Sequence, residues 1–253
     1  MKKRFEFFMV FCLFVTSFVL ARRGAALVQS KKAETSKLCV VIDAGHGDND
    51  PGKIGVNDAL EKDVNLSLAL KLKPLFENKK IRVILTRDSD QTLADSSATN
   101  KKIDDMQKRV KLIADSKAVF TISLHQNSYP DSSVSGPQVF YYSQSPDGEA
   151  LASHIQDSLN EQLSPASPRS VKSNDNYYLL KKTPTPTVIV ECGFLSNPDE
   201  AARLIDEDYQ NKLVRAIYLG AISYLSEADS ISEEDPVSDE NAGSEEVLSS
   251  KTR

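Results

Sequence analysis

Histidine and cysteine are scarce in this chain, with three of each among 253 residues. So few cysteines exclude a disulfide framework and a thiolate metal site. Cys12 falls in the N-terminal apolar segment, and Cys39 and Cys192 lack metal-ligand spacing. Cys39 opens one predicted strand and Cys192 closes another. In parallel strands their thiols fall at opposite ends, beyond the roughly 7 Å of Cα separation that a disulfide spans, so both are expected to be buried free thiols. An excess of positive charge is also missing. The net charge of −5 divides into +2 over residues 1–21, zero over 22–225 and −7 over 226–253. The neutral centre leaves no basic footprint, which excludes nucleic acid as a partner. No internal repeat and no second folded module is found.

The ends differ in kind from the middle. Lys2, Lys3 and Arg4 precede an apolar run from Phe7 to Leu20, and Val19-Leu20-Ala21 offers small residues for cleavage. Residues 1–21 read as an export signal, because the run is shorter than the roughly 20 residues of a spanning helix. Glu6 within the signal and Arg22-Arg23 after it leave an uncleaved anchor as the alternative. Residues 22–37 form a polar linker. The tail 226–253 carries nine acids against Lys251 and Arg253 and few large apolar residues, a composition that predicts disorder and a solvating role.

Between them, strands and helices alternate. Leu38–Asp43, Ile81–Leu85, Val119–Leu124, Gln138–Tyr142 and Thr187–Cys192 are short apolar runs that predict strands, with Tyr177–Lys181 a short edge strand. Val64, Leu68, Leu72, Leu75 and Phe76 recur at helical spacing, as do Ile103, Met106, Val110 and Ile113, and Leu151, Ile155, Leu159 and Leu163. Asn197-Pro198 starts a short helix, and a long one closes the fold over Tyr209–Leu225. The alternation predicts a single α/β domain over 38–225, with a mostly parallel sheet and helices on both faces.

Two of the three histidines occupy strand ends, where α/β enzymes gather functional groups. His46 follows the first strand in Asp43-Ala44-Gly45-His46-Gly47, and His125 stands in Ser123-Leu124-His125-Gln126-Asn127. Glu61 opens a helix, and Glu191 ends the apolar Val188-Ile189-Val190, where an unpaired charge is costly. Catalytic zinc takes three protein ligands and leaves a position for water. His46, Glu61 and His125 are candidates for that set, with Glu191 as the proton carrier. Gly45 and Gly47 allow a tight turn, and Asp43 and Asn127 are placed to orient the imidazoles. Each residue alone has a plainer reading: a tight turn, a hydrogen-bonded strand-end histidine, a helix-start acid, a carboxylate paired to a buried cation. It is their joint occurrence that favours a metal. His154, beside a helical apolar stripe, is expected to be a surface residue. Arg87 and Arg109 are expected to hold loops through ion pairs.

Val41-Ile42-Asp43-Ala44-Gly45-His46-Gly47, Glu61, Leu85-Thr86-Arg87 with Asp90, Ser123–Asn127 and Val188–Asn197 occur in an order that closely resembles the zinc-dependent N-acetylmuramoyl-L-alanine amidases of the type-3 cell-wall family. The resemblance spans about Leu38 to Leu225. It implies one Zn2+ at His46, Glu61 and His125, Glu191 as catalytic glutamate, and cleavage between the lactyl group of N-acetylmuramic acid and L-alanine of peptidoglycan stem peptides. Wall remodelling, daughter-cell separation and a periplasmic location follow as expectations. Gln126 stands where the family commonly has a small residue, and Cys192 where it often has another small or polar one. Some relatives insert a blocking helix before the catalytic glutamate. Here that interval is filled by predicted elements, so no such block and no activator protein are expected. Arg169 and Lys172 are candidate contacts for the acidic stem peptide. A peptidoglycan carboxypeptidase and a non-catalytic wall-binding module are the competing functions. The first lacks a Ser-x-x-Lys motif, and the second would have lost one of the four site residues.

Overall fold

A computed structural model describes residues 38–234 and, apart from them, Ser17 alone. The expected export signal, linker and most of the acidic tail lie outside the described residues. The elements in order are β1 (Cys39–Ala44), α1 (Glu61–Glu77), β2 (Arg82–Leu85), α2 (Lys101–Ser116), β3 (Phe120–Asn127) and β4 (Gln138–Tyr141). They continue with α3 (Pro146–Leu163), β5 (Lys172–Ser173), α4 (Tyr178–Lys182), β6 (Thr187–Phe194), α5 (Pro198–Leu204) and α6 (Glu207–Glu234). One six-stranded sheet has the order β2-β1-β3-β6-β4-β5. Every neighbouring pair is parallel except β4 with β6. No helix among the described residues is long and apolar enough to cross a membrane.

Strand alternation sorts side chains between two helical layers. Val40, Ile42 and Ala44 of β1, Phe120, Ile122 and Leu124 of β3, and Val188, Val190 and Cys192 of β6 share one buried cluster with α1, α3 and α6. The intervening Cys39 and Val41 pack with Ile113 of α2 and Leu179 of α4 on the other face. Helices therefore cover both faces of a mostly parallel sheet. Polar N-caps begin three of them: the Asn100, Ser145 and Asn197 side chains accept from the backbone N–H three residues on. Cys39 and Cys192 are buried and free.

The largest departures from expectation are in two elements, beside strands β3 and β6, which end three and two residues later than expected. Tyr177–Lys181 does not form an edge strand. Lys172 and Ser173 already pair with Phe140 and Tyr141, and Tyr178–Lys182 coils into α4, burying Leu179 against α2 and Leu180 beside Phe140 and Ile189. A short apolar run such as Tyr-Tyr-Leu-Leu suits either periodicity. The closing helix runs to Glu234, nine residues past the expected end at Leu225, so the first part of the acidic tail is helical.

Candidate active site

Period two decides which polar residues meet. Asp43, Ser123, His125, Ile189 and Glu191 alternate with the large buried cluster, so all five project to the face covered by α2 and α4. His125 and Glu191 are direct register partners on β3 and β6. These strands end next to the loop carrying His46, at the carboxyl edge of the parallel sheet.

Glu61, first residue of α1, reaches into this corner. Its Oε1 lies 3.1 Å from His46 Nε2 and 3.0 Å from His125 Nδ1. It also accepts from the Gln126 backbone N–H at 3.1 Å, while Oε2 accepts from that of Lys53 at 2.7 Å. Burial alone would raise this carboxyl's pKa, but the two imidazoles hold it well below the usual carboxylate range. One ligand atom from each of His46, Glu61 and His125 lies within 4.8 Å of the others, forming a group that could hold a metal ion. The corner is open to solvent, with 19% and 21% of the two histidine side chains exposed.

The loop bearing His46 is held rigidly. His46 itself has φ 62°, a left-handed conformation uncommon for a residue with a side chain. Arg109 of α2 donates to its carbonyl at 2.7 Å, to that of Ala44 at 2.8 Å and to Asp43 and Asp105 at 2.6 Å each. Arg87 donates to the carbonyls of Ala44, Gly45, Lys62 and Ser89. Asn65 of α1 also donates to Gly45. Both arginines hold the loop, Arg109 through ion pairs as expected and Arg87 through backbone carbonyls in place of the expected ion pair. A Cβ at Gly45 would collide with the His125 ring, so the glycine is required by close approach.

Glu191 faces this corner from β6. It is 7% exposed, and its Oε2 has no hydrogen-bond partner. Tyr177 donates its hydroxyl to Oε1 at a long 3.4 Å. Burial, first of all, raises the pKa of Glu191, with His125 opposing. The Tyr177 hydroxyl is pushed up to about 12 by burial and by the Glu191 charge. A buried carboxylate with a free oxygen beside a potential metal group can move protons to and from a bound molecule.

The structure brings His46, Glu61, His125 and Glu191 together, and it places the other expected residues differently. Asp43 does not orient an imidazole. Thr86, Ser123 and Arg109 occupy its two oxygens, and it acts on the loop through Arg109. Asn127 does not either, because its side-chain oxygen accepts from the adjacent Ser128 N–H. The imidazole partner is Asp50, whose Oδ2 lies 2.9 Å from His46 Nδ1. The signal for it was a carboxylate four residues beyond His46 in an otherwise polar loop. Arg169 and Lys172 do not border the cleft that holds Glu191. Arg169 donates to the Ser135 carbonyl and covers the Phe194 ring at 4.9 Å, and Lys172 is exposed on the edge strand. Gln126 donates to Asn65 at 3.0 Å and so backs the residue that supports Gly45. His154 is partly exposed, 2.8 Å from Glu227.

A family model described as N-acetylmuramoyl-L-alanine amidase matches residues 40–223. The germination-specific N-acetylmuramoyl-L-alanine amidase of Bacillus subtilis is 38% identical over 191 residues, covering 74% of this chain and 80% of that protein. The CwlD amidase of Clostridioides difficile, solved in complex with the GerS lipoprotein, is 38% identical with a TM-score of 0.73. That match covers 75% of this chain and 99% of the other. The amidase AmiC2 of Nostoc punctiforme, 31% identical, matches with a TM-score of 0.67 over 75% of this chain and 98% of its own. A fold, a loop geometry and a match over nearly all the described residues agree: the chain belongs to the N-acetylmuramoyl-L-alanine amidase family.

Proposed function

We propose that this enzyme uses Zn2+ held by His46, Glu61 and His125 to hydrolyse the amide between the lactyl group of N-acetylmuramic acid and L-alanine of peptidoglycan stem peptides, with Glu191 as the proton carrier. The observation that carries this reading is the unpartnered, buried Glu191 Oε2 opposite His125. The donor set fits the metal. Four-coordinate zinc with bonds of about 2.0–2.1 Å has ligand–ligand edges of roughly 3.3 Å, and the Glu61 contacts to the two imidazoles are 3.1 and 3.0 Å. Asp50 on His46 Nδ1 supplies the carboxylate that fixes a ligand imidazole's tautomer and orientation.

When bound, Zn2+ would lower the pKa of a water toward about 7 and polarise the scissile carbonyl. Glu191 accepts a proton from the attacking water. As the new C–O bond forms and the C–N bond breaks, Glu191 returns that proton to the departing alanine amine. Arg109 and Arg87 keep the His46 loop in place without touching substrate.

The proposed role is wall remodelling. Peptidoglycan lies outside the cytoplasmic membrane, so the reaction requires export, which the basic-then-apolar residues 1–21 would serve. The expectation of a stand-alone enzyme now stands against a relative solved in complex with a lipoprotein, so the assay below also reads partner dependence.

The test is mass spectrometry of defined muropeptides incubated with the purified protein, with and without a zinc chelator. Free stem peptide beginning at L-alanine, abolished by chelation and restored by zinc, is the expected product. Release of terminal D-alanine alone would replace the reading with a carboxypeptidase. No product from zinc-loaded protein would mark a partner-dependent enzyme or a binding module. A separate metal measurement bears on the site: Gly45→Ala is expected to displace the His125 ring and weaken zinc binding about tenfold or more. Titration calorimetry checks this, and unchanged affinity would remove His125 from the ligand set.

A further inference from the structure

The cleft of ≈ 410 Å³ that contains Glu191 extends beyond the three-ligand cluster to the first turn of α2, where Lys101 and Lys102 form part of its lining. The same lining includes the apolar side chains Met106, Leu179 and Ile189. Several acids also line this cleft, but the protein itself engages them. Asp43 and Asp105 are paired with Arg109, Asp50 with His46, and the Asp48 carboxylate accepts from Asn49. Arg109 is equally committed, with its donors spent on two carboxylates and two carbonyls.

The two lysines differ from these groups. Lys101 is exposed and has no ion-pair partner among the described residues. Lys102 has 74% of its side chain exposed, and its Nζ stands 3.7 Å from Asp50 Oδ2, a screened contact that a bound anion can replace. One cleft therefore brings together the corner of His46, His125 and Glu191, apolar side chains and two available ammonium groups.

We infer that Lys101 and Lys102 form a subsite for a free carboxylate of the stem peptide beyond L-alanine, and so direct the peptide side of the scissile bond toward α2. The inference rests on the amidase reading above. The apolar stretch suits the alanine methyl and the alkyl stem of the next residue, and the ammonium groups complement the acidic peptide. Lysine is a point charge on a flexible stem, which suits a carboxylate whose position varies along a mobile chain. Charge complementarity of this kind selects among substrates.

Two synthetic muropeptides, identical except for a free α-carboxylate or a carboxamide on the second stem residue, test it. With the zinc-loaded full chain, kcat/KM should be about tenfold higher for the carboxylate substrate. In the double variant K101A/K102A that ratio should fall to near one, with the loss appearing in KM. K101E/K102E should invert the preference, which a merely structural role would not produce. K101R/K102R should retain it. Equal wild-type kcat/KM on both substrates, or a preference that survives K101A/K102A, would overturn the subsite and leave the amidase reading intact. If the wild type frees stem peptide from neither substrate, alone or with a lipoprotein partner of the kind bound to its relative, the amidase reading fails and the subsite with it.

Discussion

Replacing Glu191 by glutamine is expected to lower kcat on muropeptides by about 10²–10⁴-fold, the usual contribution of a positioned acid–base group, while zinc content stays at one per chain. Glutamine keeps the shape and loses the ability to carry a proton. The side chain is 7% exposed and Oε2 has no partner, so the wild-type carboxylate is held in the fold at a cost. Its folded pKa lies above the ordinary 4.5. A group shifted in that direction favours folding below its unfolded pKa and opposes it as pH rises through the folded value. In metal-free protein at pH 7, Glu191→Gln should therefore be at least as stable as the wild type, with the gap closing below about pH 4.5. Lost activity with retained stability and metal is a trade expected at catalytic positions. Steady-state kinetics, zinc analysis and thermal melts read the three quantities. A variant that keeps activity within tenfold, fully metal-loaded, would remove Glu191 from the chemistry.

Arg109→Leu is expected to cost about 3–5 kcal/mol of stability, the range for breaking a buried ion pair by deleting one partner. Arg109 and Asp43 are 2% and 1% exposed, so deleting the guanidinium strands a buried carboxylate. It also releases the His46 and Ala44 carbonyls. In a domain of this size such a loss lowers Tm by roughly 6–20 °C. Asp43 supplies a second signature. Burial raises its pKa, but Arg109, foremost, and the Ser123 hydroxyl bring it to about 2, against an ordinary 3.8. The stability this confers is fully present above about pH 4 and is lost as pH falls from there towards 2. Urea titrations across that range should show a smaller loss in Arg109→Leu than in the wild type, the remainder belonging to carboxylates that Arg109 does not hold, Glu61 first among them. Adding Asp43→Asn to the variant should recover part of the stability, because the stranded charge is gone. If Arg109→Leu falls within 1 kcal/mol of the wild type, the arginine does not anchor the loop.

Much of the site was legible because its residues break local patterns. Histidines at strand ends, a glycine on each side of His46 and a glutamate closing an apolar strand are each anomalous for packing, and so stand out in sequence. The strands and the long helices were legible because burial imposes periods of two and 3.6 on apolar residues. Asp50 was missed because a loop aspartate among Asp48, Asn49 and Pro51 looks like any polar turn. The contact with His46 Nδ1 depends on the folded course of the loop, in which His46 is left-handed. Arg169 and Lys172 are candidates by charge alone, and charge does not say which way a side chain turns. The Phe194 ring and the Ser135 carbonyl instead hold Arg169 away from the cleft.

By itself, the sequence determined the α/β class, the four residues that meet in this corner and the family they resemble, because each depends on local pattern or residue chemistry. Tertiary structure alone decided which groups support that corner and where the cleft leads. Those facts depend on register and on the face each side chain takes: His125 opposite Glu191 across β3 and β6, Asp43 facing Arg109 from α2, and the first turn of α2 opening onto the cleft. Residues 66 positions apart, like Asp43 and Arg109, carry no local trace of each other. Their meeting is set by how the helices pack over the sheet, since the buried alternation along each strand decides which side chains point toward which layer.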